Sequence, residues 1–284
     1  MKKLLLAVSM LVVGTLFGQD TTKTIELVGI EVTGVRADKK TPVTETTISG
    51  KEIKKTYQGE EVAFVLDKTP SITSYTDGGH PQGYTYFRIR GIDQTRINMT
   101  LNGVPLNEPE DQGVYFSNYP GFSNNIGSMQ IQRGVGTSSN GVSSYGGSIN
   151  FESPNGIDEI AEIEIGYGSF NSKRFNAKIS TGLDTNGMAF YTNFSMYDTE
   201  GYKYNSGSQG CSFFIGGGYY GEKDIIKITG FSGRSFNQMA WAAVSEEDIA
   251  IDPRTIIILQ SKMMTFNKVL HNCNILELLV IGLY

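Results

Sequence analysis

The sequence predicts an α+β domain followed by the start of an antiparallel transmembrane β-barrel, one that is incomplete in this chain. Three observations carry that expectation. The chain opens on an apolar leader. Residues 41–155 mix helical spacing with short strands and loops rich in Gly, Asn and Pro. From residue 156 onward, segments of about ten residues alternate apolar with polar side chains, the pattern of strands with one face in lipid.

The leader is MKKLLLAVSMLVVGTLFGQ. Lys2 and Lys3 form a positive start, Leu4 to Phe17 an apolar run, and Gly18 a small residue suited to cleavage. A membrane-spanning helix needs about 20 apolar residues, so residues 1–18 are expected to be a signal peptide for export. The net charge of -5 provides no footprint for nucleic acid. Cys211 and Cys273 support neither a disulfide framework nor a CxxC metal site, and His80 and His271 lack partners at recognisable spacing. The glycines of GGGYYG (Gly216–Gly221) fit a dinucleotide pattern, but they end a strand and do not open a helix. No catalytic residue, metal or cofactor is therefore expected.

Residues 19–40 are a polar, extended segment around one apolar island, IELVGIEVTG (Ile25–Gly34). The island is strand-like, with no neighbour in sequence to pair with. Within 41–155, GKEIKKTYQGEEVAFVLDKTPSI predicts two short helices, the second ended by Thr69-Pro70. Strands are expected at FRIRG, RINMTLNG, SMQIQRG and GGSINFES, linked by YTDGGHPQGY, VPLNEPEDQG and SNYPGFSNN.

In 156–255 the period becomes two. Ala161, Ile163, Ile165 and Tyr167 fall on one face, Glu162, Glu164 and Gly166 on the other; RFNAKISTGL and MAFYTNFSMY behave alike, and CSFFIGGGYYG and DIIKITGFSG do so less cleanly. A β-sandwich with one wet face would show the same period. The alternation of short turns with longer links, and Tyr167, Tyr197, Tyr219 and Tyr220 near strand ends as an interfacial girdle, favour the barrel. Residues 256–284 abandon both periods, hold one of the chain's 34 glycines and carry runs such as LELLVIGLY. The expectation is a reading frame broken near Arg254-Thr255, with a true C-terminal strand ending at Tyr284 as the rival reading. Five strands leave an open edge in lipid, where each unpaired backbone group costs several kcal/mol.

Four of these stretches, in this order, resemble the TonB-dependent outer-membrane receptors. Ile25–Gly34 looks like a TonB box. Arg90-Gly91 followed by Asn102-Gly103-Val104-Pro105 resembles a strand of the family's plug domain. Arg133-Gly134 and Tyr145-Gly146-Gly147 before the strand Ser148–Glu152 resemble the plug's end, and the alternating segments follow where barrel strands begin. The resemblance covers roughly residues 25 to 235.

It implies a receptor of the Gram-negative outer membrane, not an enzyme, with partners in membrane lipid, TonB and its inner-membrane energising complex, and a small ligand such as a metal chelate. It makes Glu26, Leu27, Val28, Gly29, Ile30, Glu31, Val32 and Thr33 the strand that TonB grasps. It makes Asp77, His80, Gln82, Glu108, Glu110, Asp111 and Tyr115 candidates for ligand contact in the plug's apical loops, where a solvated loop is the alternative. Arg90, Gly91, Arg133, Gly134, Gly146 and Gly147 become structural residues of the plug. Arg88, Arg90, Arg96 and Arg133 are expected to pair with acids on the inner wall such as Glu162 and Glu164. The other reading of the chain is an exported, soluble plug-like protein that binds ligand or TonB without transport.

Overall fold

A computed structural model describes residues 36–37, 41–135, 145–221, 224–238, 240, 244–254 and 278–283. All belong to the second of two compact units, Thr33–Tyr284. The expected TonB-binding segment, Glu26 to Thr33, and the signal lie outside the described residues, as do Trp241, His271, Cys273 and Tyr284.

The first layer is built around a five-stranded sheet. Strand β1 (Thr44–Ser49) leads into helix α1 (Gly50–Thr56), whose start is fixed by a reciprocal cap: Ser49 Oγ accepts from the Glu52 amide, and the Glu52 carboxylate accepts from the Ser49 amide. Helix α2 (Val62–Leu66) buries Val62, Ala63, Val65 and Leu66. A hairpin of β2 (Ile72–Thr76) and β3 (Thr85–Ile89) follows, with β4 (Ile92–Asp93) added to its edge. Then come β5 (Ile97–Leu101), β6 (Val104–Pro105), β7 (Ser128–Arg133) and β8 (Gly147–Glu152). The sheet order is β1-β7-β8-β5-β6, with β5 and β8 parallel.

Both expected helices and all four expected strands of this region are present. Strands β1, β2, β4 and β6 add to them. TETTIS and ITSYT carry little apolar signal of their own, and β4 and β6 span two residues each, so pairing alone makes them strands.

The central strands are buried on both faces, but the faces differ. Ile97, Met99, Leu101, Ile149 and Phe151 point to an apolar core, while Asn98, Thr100, Ser148 and Asn150 form a buried polar layer. Thr100 Oγ1 donates to Asn150 Oδ1 (2.9 Å), and Gln130 clamps Ala37 by accepting from its amide and donating to its carbonyl. The motif residues are turn chemistry. Arg90-Gly91 and Asn102-Gly103 are two-residue turns with φ positive at both positions (51° and 79°, 50° and 81°). Gly146 and Gly147 are close-approach positions. A Cβ on Gly146 would lie 2.7 Å from Ile92 Cγ2, and one on Gly147 would lie 2.5 Å from the Gln132 carbonyl oxygen.

The second layer is a six-stranded antiparallel wall. Strands β9 (Glu159–Gly168), β10 (Ser172–Thr181), β11 (Met188–Thr199), β12 (Ser208–Tyr220) and β13 (Ile225–Asn237) run in sequence order, and β14 (Leu278–Leu283) pairs with β13 beyond the short helix α3 (Glu246–Ile251). The last pairing differs from the expectation that this stretch makes no strand. A run of branched apolar residues supports pairing whatever its alternation.

The wall's polarity is inverted relative to a water-soluble sheet. Ile163, Ile165 and Tyr167 are 70%, 80% and 78% exposed, and Ile179, Phe190, Phe213 and Ile215 continue the apolar outer face. The inner face carries Glu162, Glu164, Asn176, Ser180, Asn193, Ser195 and Ser212 against the first layer. Asn193 Nδ2 donates to Asn125 Oδ1 (2.8 Å), Asn124 Nδ2 to Ser195 Oγ (3.2 Å), and Ser235 Oγ to the Ser117 carbonyl (2.8 Å). Inside this polar rim, Tyr119 and Phe122 stack tilted or edge-on with Phe231, which meets Phe214 in turn.

Two expectations about the wall change. Tyr167 and Tyr219 lie on the outer face, whereas Tyr197 and Tyr220 turn inward, toward Ser208 Oγ and the Asn155 carbonyl, because the pleat alternates. Glu162 and Glu164 are paired by Lys54 of α1, not by the strand arginines. Arg133 instead donates to the Pro70 carbonyl and to Thr46 Oγ1, and Arg88 lies 5.5 Å over the Tyr75 ring.

Phe122→Ala should destabilise the chain, folded in detergent, by about 3–5 kcal/mol in denaturant titration, because it empties the aromatic contact between the layers.

Candidate functional site at the apical loops

The wall's long link 200–207 and its connection after β13 lie at one end, and the first layer's loops 77–84 and 106–115 gather there. The β2–β3 hairpin sets Tyr75 directly across from Tyr86, and the rings stack at 5.2 Å. Asp77 begins the loop, its amide donating to the Tyr84 carbonyl (3.2 Å). Burial pushes the Tyr86 hydroxyl up to about 12, and the neighbouring Asp77 charge pushes the same way. Both effects keep a neutral phenol beside a carboxylate.

Loop 106–115 is pinned by Asn107. Its Oδ1 accepts from the Met99 amide (2.7 Å), and its Nδ2 donates to the carbonyls of Ile97 (2.9 Å) and Gln112 (2.6 Å). The Glu108 amide then closes onto the Gly113 carbonyl (2.8 Å). Tyr115 donates to Asp111 Oδ2, and the Gly113 amide donates to Asp111 Oδ1 (2.7 Å). These two donors hold the Asp111 carboxyl below its ordinary value, the Tyr115 hydroxyl first. The same bond pushes Tyr115 up to about 12. Glu108 is raised by burial first and by the Asp111 and Glu110 charges after it.

The structure thus brings Asp77, Glu108, Asp111 and Tyr115 into one patch with Tyr75, Tyr84 and Tyr86, which sequence reasoning missed. Their signal was the alternation of tyrosines in ITSYT and GYTYF across a hairpin whose first strand was not expected. Glu110 sits at the exposed tip. His80 and Gln82 turn away from the patch. His80 Nε2 donates to the Ser206 carbonyl (2.5 Å), its Nδ1 accepts from the Gln82 amide (3.3 Å), and Gln82 Nε2 donates to the Gly59 carbonyl (3.1 Å). His80 fastens the loop to the wall, and Gln82 fastens it to the turn between α1 and α2. The acids do not converge on a point: no group of three or more His, Cys, Asp or Glu among the described residues is arranged to hold a metal ion.

The family model of the TonB-dependent receptor plug domain matches residues 37–148. The first layer has the fold of a TonB-dependent receptor plug domain. Among solved structures, the ferric citrate transporter FecA, in its unliganded form, shares 18% identity and a TM-score of 0.60 over 76% of this chain and 34% of its own. The copper transporter OprC gives 16% identity and 0.56 over 69% and 32%. The ferric yersiniabactin uptake receptor FyuA from Yersinia pestis gives 16% and 0.54 over 72% and 33%. No curated protein sequence matches the chain. The chain spans about a third of the length of these transporters, and its fold corresponds to the plug and the first strands of the barrel.

Burial lowers the pKa of His80 below its ordinary 6.5, with the Ser206 carbonyl only partly offsetting it. The neutral ring's anchoring is therefore fully present above about 6.5 and is lost as pH falls through the lowered value. Limited proteolysis of loop 77–84 should accelerate between pH 7.5 and pH 5, and the His80→Gln variant should lose that pH dependence.

Proposed function

We propose that the chain supplies the N-terminal part of a TonB-dependent receptor that takes up a scarce ligand across the outer membrane. One observation carries this reading: a plug domain is joined by its last strand to a wall that faces it with polar side chains and turns its apolar side chains outward. Such a wall is suited to lipid on one side and to a removable filling on the other. The aromatic and acidic apical patch is then the plug's contribution to the ligand site. The ligand belongs to the class carried by the transporters of like fold, a metal chelate such as a ferric siderophore. Iron uptake is the expected physiological role.

In this account residues 1–18 direct export and are removed. The island Glu26–Thr33 pairs with TonB as an added strand, backbone hydrogen bonds giving affinity and alternate side chains giving register. TonB transmits work from its inner-membrane complex, and the outer-membrane lipid receives the wall. No reaction is catalysed.

The direct test is capture of the full chain, folded in detergent, by the immobilised periplasmic domain of TonB. Ile30→Pro removes a backbone donor in the middle of the island and should reduce capture at least tenfold. Equal capture of the wild type and the proline variant would contradict the assignment of this segment.

A further inference from the structure

Between α1 and the inner face of β9–β11 lies an open cleft of ≈ 800 Å³. Of the charged groups that line it, Lys51, Lys54, Arg174 and Lys178 with Glu152, Asp158, Glu162 and Glu164, three cations gather about the two carboxylates of β9. Lys54 reaches from the plug to both Glu162 and Glu164, the latter at 3.7 Å. Lys178 stands directly opposite Glu162 in the β9–β10 register and within electrostatic reach of Glu164, Lys54 and Arg174. The two carboxylates are therefore already served by two ammonium groups, and no ion pair among the described residues engages Arg174.

Arg174 also lacks a cross-strand carboxylate. Its neighbours are Gly166 on β9, which has no side chain to offer, and Tyr197 on β11, whose hydroxyl accepts from Ser208 Oγ. Its guanidinium carbon lies 5.3 Å from the centre of the Tyr57 ring. Among the described residues, Nη1 is shut off from solvent without a hydrogen-bond partner. No ion pair joins it to Glu61, the buried carboxyl nearby on the plug, among the described residues. A second group lining the same cleft is also unsatisfied: Ser123 is 4% exposed, and its hydroxyl has no partner. A buried guanidinium N–H without an acceptor is a costly arrangement unless something supplies one.

We propose that this cleft is an anion-binding site in which Arg174, Lys178 and Lys54 hold one carboxylate or phosphate group. The guanidinium edge provides planar, charge-assisted donors suited to an oxyanion, and the lysines add point charge. The group is either a free ion or the head of a larger molecule. Binding has a consequence for the plug. Lys54 carries the ion pair that joins plug to wall among the described residues, and an anion competes with Glu162 and Glu164 for it. Lys178 stays within electrostatic reach of both acids throughout the exchange.

The test is calorimetric titration of inorganic phosphate and of acetate into the full chain folded in detergent, at low chloride. Saturable binding at one site is expected. Arg174→Gln should weaken it at least tenfold and Lys178→Gln several-fold, while Glu162→Gln should tighten it several-fold by removing a competing carboxylate. The Glu162 variant guards against a misfolded Arg174 variant, because a merely structural arginine gives it no reason to bind more tightly. Butyl phosphate binding as well as phosphate supports a head group, and phosphate binding alone supports the free ion; both uphold the site. Absence of saturable binding by both anions, or unchanged affinity in all three variants, overturns it.

Discussion

The constraint on which this structure depends is the inverted polarity of the wall. A sheet that turns Ile163, Ile165 and Phe213 outward has only its polar face left for the interior. That face carries Glu162, Glu164, Asn176, Asn193 and Ser195, each of which needs a partner once covered. The plug must therefore be polar where it meets the wall and apolar within. Its 3-10 turns at 116–118 and 122–125 do both, sending Asn124 and Asn125 to the wall while Phe116 and Phe122 stay in the core. A mainly hydrogen-bonded interface with one aromatic contact at its centre holds position yet gives up little when opened, since each hydrogen bond is exchanged for one with water.

The plug's own stability comes from elsewhere. Ile97, Met99, Ile131, Ile149 and Phe151 pack in one apolar cluster with the residues of α2, and on the polar side of the same sheet the Gln130 side chain holds the Ala37 backbone while the Arg36 guanidinium donates to the Asn150 carbonyl. Arg36 and Ala37 thus rest on the sheet that supports the apical loops.

Much of the architecture was legible in the sequence because its signals are local. Period two over ten residues, and the helical spacing ended by Thr69-Pro70, each depend on neighbours in the chain. What escaped depends on partners far away. TETTIS becomes a strand only because β7 lies beside it, and the pairing of Leu278–Leu283 with β13 is not announced by any alternation. The candidate site divides the same way. Asp111 and Tyr115 are four residues apart and meet, whereas His80 was assigned to ligand and is spent on Ser206 across the interface. The arginines were expected to reach the wall acids, but the lysine of a short amphipathic helix arrives there first.

The most direct measurement is the collisional accessibility of nitroxide labels placed at Ile163 and Glu164, neighbours on β9, in the full chain folded in detergent. The account predicts that the label at 163 collides readily with oxygen dissolved in the detergent phase, and that the label at 164 collides less with that oxygen and relatively more with a water-soluble nickel chelate. Equal accessibility at the two positions, or a reversed pattern, would contradict a lipid-facing wall closed over a plug.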